Sequence, residues 1–169
     1  MRLIESKRLY VRYLDMNDLE DYYRLNGDEE LMRYIRAPKT REETETFLQQ
    51  TIDAYSYDKI DLRLGLYAID TDEFVGSFAL IPLVGTDQTQ IGYALLKEHW
   101  GKGYASEIVE AGKTYAFQSL KLNSLAAVTE AGNVASQKVL LKNGFNFLKE
   151  YLEKEKLLYQ YISLPGRGE

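Results

Sequence analysis

Near residue 100 the chain changes the period of its apolar residues, and two glycines mark the change. Residues 89–96 alternate as a strand does, while Ala105, Ile108, Val109, Gly112, Tyr115, Ala116 and Ser119 fall on one helical face. The turn between them reads Trp100-Gly101-Lys102-Gly103-Tyr104-Ala105-Ser106-Glu107. A glycine-rich turn feeding a helix leaves the first N–H groups of that helix without partners and places the positive end of its dipole beside them, which suits a pyrophosphate. Glycine lets such a backbone come close to phosphate oxygens. Two other phosphate loops do not fit. The spacing Gly-x-x-x-x-Gly-Lys-Ser/Thr is absent, and Gly101-x-Gly103-x-x-Ser106 lacks the third glycine of the dinucleotide fingerprint and follows an antiparallel region. Taken alone, the turn also fits a purely structural role.

The rest of the chain sorts into helical and strand-like runs. Residues 9–14 alternate and run into Asp15, an N-cap residue with Asp18 in the first turn, so a short helix is expected up to Gly27. A shorter helix should follow over residues 29–39, ending in a loop at Pro38. Thr40-Arg41-Glu42-Glu43 has capping-box spacing, and Thr44, Phe47, Leu48, Thr51, Ile52 and Tyr55 share a face, which predicts a helix over residues 40–57. Residues 62–69, 74–83 and 89–96 read as three antiparallel strands separated by polar turns. After the long helix come a strand at residues 124–129, a helix over residues 133–142 closed by Asn143-Gly144, and two strands at residues 145–152 and 157–164. With no internal repeat or linker, the expectation is one α/β (α+β) domain over residues 1–169, a mixed sheet flanked by helices.

A chain of 169 residues can bury a full core, and its 45% hydrophobic and 28% charged residues place it among globular proteins. With no cysteine there is no disulfide framework and no thiolate ligand or nucleophile. The first residues lack an apolar signal core, and no run of about eighteen apolar residues occurs, so a cytoplasmic protein without a membrane partner is expected. A net charge of −5 argues against a nucleic-acid partner and agrees with a cationic one such as an amine.

The glycine turn resembles the acyl-CoA pyrophosphate loop of the GNAT superfamily of N-acetyltransferases, Gln/Arg-x-x-Gly-x-Gly/Ala, with Trp100 in place of Gln/Arg. That replacement is typical of the RimJ/RimL-like branch (ribosomal-protein-alanine N-acetyltransferases), whose members read Trp-Gly-Lys-Gly-Tyr-Ala after an Ile-Gly-Tyr strand; here Ile91-Gly92-Tyr93 stands at the right distance. Asn133, Ser136, Lys142, Gly144 and Phe145 match the branch's Asn-x-x-Ser and Lys-x-Gly-Phe, and Arg8-Leu9-Tyr10-Val11-Arg12, Asp18 and Met32-Arg33-Tyr34-Ile35 resemble its opening. The resemblance implies a mostly antiparallel seven-stranded sheet with about four helices, splayed between residues 89–96 and 124–129 so that the pantetheine arm of acetyl-CoA bonds the backbone near Leu95 and Leu96.

It also implies a reaction: direct attack of a neutral primary amine on the thioester, in a ternary complex. Such a reaction needs a deprotonated amine, donors for the carbonyl oxygen and a proton for the leaving thiolate. Backbone N–H groups around residues 94–96 would serve the oxygen. Where the family often places a tyrosine acid the chain has Leu140, so Ser136 is the candidate acid. Asn133 either holds the pantetheine arm or caps its helix. Where relatives carry an acid before Ile-Gly-Tyr the chain has Gln90, which leaves Glu130, Glu73, Tyr93, His99 or a water chain as base; His99 is expected to be exposed to solvent. Of these, Ser136, Glu130 and Tyr93 are taken as the catalytic set. Cofactor contacts are expected from Leu95, Leu96, Trp100, Gly101, Lys102, Gly103, Tyr104, Ala105, Asn133 and Lys142, with Trp100 packed in the core behind the loop. The acceptor is a protein N-terminus or a small-molecule amine, in a pocket expected from the first two helices, their loop around Arg36 to Lys39 and the closing hairpin; Asp28, Glu29, Glu30, Glu42 and Glu43 form an acidic group that could steer a cation. Alternatives are a non-catalytic acyl-CoA sensor and a polyamine, amino acid or antibiotic acetyltransferase. The tyrosine-rich closing strands are compatible with a monomer or a homodimer.

Overall fold

The computed structural model describes residues 1–56 and 59–166. Its strands are β1 (Ile4–Glu5), β2 (Leu9–Tyr13), β3 (Leu62–Ala68), β4 (Phe74–Pro82), β5 (Thr89–Leu95), β6 (Leu125–Glu130), β7 (Asn146–Glu153) and β8 (Lys156–Ser163). The helices are α1 (Leu19–Asn26), α2 (Glu29–Met32), α3 (Arg41–Asp53), α4 (Tyr104–Gln118) and α5 (Val134–Lys142). All the strands belong to one sheet of order β1-β2-β3-β4-β5-β6-β8-β7. It has eight strands where seven were expected, because β1, two residues long, pairs with β2 through Ile4↔Val11 and Glu5↔Tyr10. Two residues show no alternation, so no periodicity could announce it.

Alternation along the central strands builds two cores. On β2, Leu9 and Val11 join Ile108, Val109, Phe117 and Phe145 on the face covered by α4 and α5, while Tyr10 between them joins Leu19, Tyr22, Leu25, Met32 and Leu48 beneath α1–α3. At Gly112 a Cβ would stand 2.5 Å from Phe78 Cζ, so only glycine lets α4 lie this close to β4.

Local chemistry ends most helices where the sequence places the ends. Thr40 and Glu43 form the reciprocal capping box at the start of α3. Asp15 and Asp18 form another around a 3-10 turn that precedes α1. After α5, Gly144 takes φ +80°, Phe145 N–H bonds Leu140 C=O at 3.0 Å and Gly144 N–H bonds Leu141 C=O at 3.3 Å, a Schellman closure. Two helices are shorter than their patterns: α2 is confined to four residues, and α3 stops at Asp53. Tyr57, the expected end of α3, lies outside the described residues.

Every neighbouring pair is antiparallel except β5 and β6, which run parallel and meet only at Gln90↔Ala126. Beyond that point they diverge. The far half of β5, residues 92–95, therefore has a sheet partner on its β4 side and a gap on the other.

Candidate active site

The glycine turn sits at the end of this gap. Leu96 starts a 3-10 turn over Lys97–His99, Gly101 and Gly103 take φ of +73° and +80°, and Gly103 is the N-cap of α4. No side chain caps α4, unlike α3 and α5. The first bond to the helix is Glu107 N–H to Gly103 C=O at 3.1 Å, which leaves the N–H groups of Tyr104, Ala105 and Ser106 without intrahelical acceptors. Two cations flank them. The Arg8 guanidinium lies 4.6 Å from the Tyr104 ring centroid and 3.5 Å from where a Gly103 Cβ would be, and the Lys102 ammonium is 6.0 Å from the same ring.

Arg8 is held there by Glu107, whose carboxylate accepts from the Arg8 N–H, Arg8 Nε and the Ser6 hydroxyl, each at 2.7 Å. Burial alone would raise the Glu107 pKa, but these three donors hold the carboxyl below its ordinary value. Uncapped N–H groups, left-handed glycines and two cations fit a pyrophosphate, and the gap beside β5 has room for an extended arm.

Trp100 does not stack in the core as expected. The residue is 47% exposed, and its indole fixes the turn by another contact, Nε1–H donating to the Leu95 carbonyl at 2.9 Å. Leu96 N–H is already donated to Val75 C=O at 2.9 Å, so of the expected oxyanion donors it is committed to the sheet. Leu95 is paired with Gly76 at the next position, where antiparallel alternation turns its N–H toward the gap. At Gly76 a Cβ would stand 2.0 Å from the Ala94 carbonyl oxygen, so the end of β5 lies against β4 at an approach that only glycine admits. His99 also departs from expectation. It is 5% exposed, neither ring nitrogen has a hydrogen-bond partner, and Nε2 lies 3.9 Å from a Glu73 oxygen.

Facing the gap is an open cleft of about 830 Å³ that collects Tyr93, Ser136, Asn133 and Glu130 in its walls. Asn133 caps α5 by accepting from Ser136 N–H at 3.3 Å. Tyr93 of β5 and Ser136 of α5 bring their hydroxyls to 3.5 Å, and burial raises the Tyr93 pKa, so the phenol keeps its proton at neutral pH. Glu130 at the end of β6 is 3.5 Å from Lys156 Nζ. Leu140, one turn after Ser136, is a buried wall of the same cleft. Lys142 lies at the exposed end of α5 and does not line the cleft; the neighbouring Asn143 ties that end to the first turn of α4 through Ser106 Oγ at 3.0 Å.

The remaining walls include Tyr22, Tyr34, Arg36 and Arg63, with Lys149, Lys154 and Lys156 from the closing hairpin. Tyr34 reaches across to the β6–α5 turn, 3.4 Å from where a Gly132 Cβ would be. The acidic residues expected to steer a cation are elsewhere. Asp28 and Glu30 share Lys97 at 3.1 and 2.7 Å in a separate surface depression, and Glu42 and Glu43 are exposed at the start of α3. Arg36 lies in the loop from which the sequence predicts an acceptor pocket, while Arg63 carried no signal, since nothing local places it in the same wall. Arg8 was visible only within the resemblance at the N-terminus.

The profile of the acetyltransferase (GNAT) domain matches residues 8–146, a span that holds the turn, the split sheet and the Tyr93–Ser136 pair. The chain belongs to the GNAT acetyltransferase family. It is 31% identical to an uncharacterized N-acetyltransferase, YoaA, of Bacillus subtilis over 97% of this chain and 90% of that one. Its fold is that of a GNAT-family acetyltransferase from Bacillus anthracis, with a TM-score of 0.85, 24% identity and coverage of 95% and 97% of the two chains. RimL, the ribosomal L7/L12 alpha-N-protein acetyltransferase solved with coenzyme A, superposes with a TM-score of 0.82 at 17% identity, over 97% of this chain and 98% of that one. As a GNAT enzyme, this protein is an acetyl-CoA-dependent N-acetyltransferase. No helix among the described residues is long and apolar enough to cross a membrane.

Proposed function

We propose that this acetyltransferase acts on an α-amine, that of a protein N-terminus as in the RimJ/RimL-like branch, by direct attack in a ternary complex. The observation that carries this reading is the charge of the cleft. Five cationic side chains line it against two carboxylates, Glu130 and Glu153, and Glu130 is paired with Lys156. A wall of that sign repels a polyamine. With Gln90 in the cleft and His99 buried outside its lining, the acceptor must arrive largely neutral by its own chemistry. Near pH 7.5 roughly a third of α-amines are neutral, against roughly one lysine side chain in a thousand.

Acetyl-CoA supplies the acyl group as thioester; the chain's residues then have three tasks. The turn at residues 101–105, with Arg8 and Lys102, holds the pyrophosphate. Leu95 N–H faces the carbonyl oxygen that gains charge as the amine adds. Ser136 donates its proton to the leaving sulfur and is resupplied by the Tyr93 phenol. Asn133 fixes the first turn of α5 so that Ser136 points into the cleft. Glu130 takes the proton released by the amine, directly or through water.

Thiol release from acetyl-CoA tests the reading with three acceptors: a peptide with a free N-terminus, the same peptide N-blocked and carrying one lysine, and spermidine. The free N-terminus should support the highest kcat/KM. Turnover confined to the lysine side chain or to spermidine contradicts the reading.

A further inference from the structure

Around the ring of Phe47 the structure gathers three cations. The guanidinium carbons of Arg36 and Arg63 lie 4.9 and 5.7 Å from its centroid, and Lys39 Nζ lies at 5.1 Å. Among the described residues no ion pair joins any of the three to a carboxylate, whereas Arg8, Arg12, Arg24 and Arg41 each have one. Arg36 is the extreme case. One of its terminal nitrogens donates to Asn26 Oδ1 at 2.8 Å, its Nε is buried with no acceptor, and the side chain lines the cleft. Burial, with Arg63 adding to it, lowers its hold on its proton, and the nearby Tyr22 only partly offsets this. A guanidinium remains charged even so. A cation desolvated beside another cation, with no anion built in, is costly unless something else brings the anion. Arg63 stands in the same wall, and Tyr22, stacked on Phe47 at 5.9 Å, supplies a hydroxyl between the elements.

We propose that Arg36 and Arg63 form a subsite for a carboxylate carried by the acceptor, so that the enzyme selects α-amines borne on molecules with a carboxylate near the amine. This rests on the α-amine reading. The carboxylate comes either from an acidic side chain near a peptide N-terminus or from the α-carboxyl of a free amino acid; both offer the planar, two-oxygen group that a guanidinium fork receives. Both guanidinium groups lie over the Phe47 ring, which covers one side of each. Asn26, itself tied to the Tyr22 carbonyl at 2.8 Å, sets the angle of Arg36.

Matched acceptors test the subsite. One pair is a peptide beginning Ser-Asp against Ser-Asn; the other is serine against serine amide, with kcat/KM expressed per neutral amine because the α-carboxylate raises the pKa of the amine beside it. The parent enzyme should prefer the carboxylate member of one pair by about tenfold or more in kcat/KM, as expected for a charge-assisted bond, and the pair that shows the preference identifies the source. Arg36→Gln and Arg63→Gln should each bring that ratio close to one, and Arg36→Lys should restore part of it. General damage to the fold lowers both members equally and leaves the ratio unchanged, so a preference retained in both glutamine variants overturns the proposal. Equal use of both members in both pairs by the parent enzyme also overturns it, while leaving the α-amine reading in place. Absence of turnover with any α-amine acceptor, alongside turnover of spermidine, overturns that reading and the subsite with it. If all acceptors are too slow to rank, the acetylated product pairs titrated by calorimetry in the presence of coenzyme A make the same comparison, and equal affinities there overturn the subsite.

Discussion

Ser136 and Asn133 sit three residues apart on one helix end and should fail differently when changed. Ser136→Ala removes a proton donor and leaves the cap in place, so kcat should fall roughly tenfold to a thousandfold with little change in the KM for acetyl-CoA. Asn133→Ala removes the acceptor of the Ser136 N–H. It should cost about 1 kcal/mol of stability and raise that KM, with kcat less affected. Steady-state and single-turnover kinetics separate the two, and full single-turnover rate in Ser136→Ala would transfer the acid's role to Tyr93 or water. Glu107 gives a pH signature. Its folded pKa lies below the unfolded one, so its contribution is fully present above the ordinary glutamate value of about 4.3 and is lost as pH falls through the folded value. Glu107→Gln should therefore be less stable than the parent at pH 7, and the gap in Tm should close below about pH 4. At this scale the sequence revealed the residues that contact the backbone around them, such as Gly103 and Asn133. It misplaced those whose environment is set by distant chain. His99 is buried beside Glu73 and Tyr104, and Trp100 is turned outward by the Leu95 carbonyl.

The elements are held by networks that begin at their ends. Asp18 closes the capping box before α1, pairs with Arg12 of β2 at 2.9 Å and accepts from the Tyr67 hydroxyl of β3 at 2.7 Å, while the Arg12 guanidinium lies 4.1 Å from the Tyr67 ring centroid. One buried carboxylate thus joins two strands and a helix. Asp18→Ala leaves the Tyr67 hydroxyl without its acceptor and takes from Arg12 its buried partner, so it should lower stability by about 3 kcal/mol in chemical denaturation, whereas a change at Asp21, half-buried and paired with exposed Arg24, should leave stability within about 0.5 kcal/mol. Caps and strand alternation made the longer elements legible from residues alone. β1 and the short span of α2 were not, since a two-residue bridge and a four-residue helix depend on neighbours rather than on period. On the closing strands the exposed apolar side chains are Phe147, Leu148, Leu152 and Leu157, while Tyr151 and Tyr159 are half-buried and Tyr161 is buried. A two-fold period at the sheet edge tells which residues share a face, and not which face meets solvent.

Across the molecule, the proposed function rests on one departure from a continuous sheet. β5 and β6 touch at a single position and part, and the gap receives the glycine turn from one side and α5 from the other. The order of strands and helices that produces this gap followed from the sequence. Two segments of the proposed acceptor wall, the loop at Arg36 and the closing hairpin, were legible too; that Arg63 joins Arg36 there was not, because the two belong to different layers and meet only around Phe47. In the proposed site the N-terminal end of α4 binds acetyl-CoA through backbone that only glycine can bring near phosphate. Calorimetric titration of coenzyme A against Gly103→Val and Gly85→Val tests it most directly, because both glycines take φ +80° and carry the same backbone strain, while Gly85 lies in the β4–β5 turn. Gly103→Val should lose measurable binding and Gly85→Val should retain the parent affinity; equal affinities in the two folded variants would contradict the site.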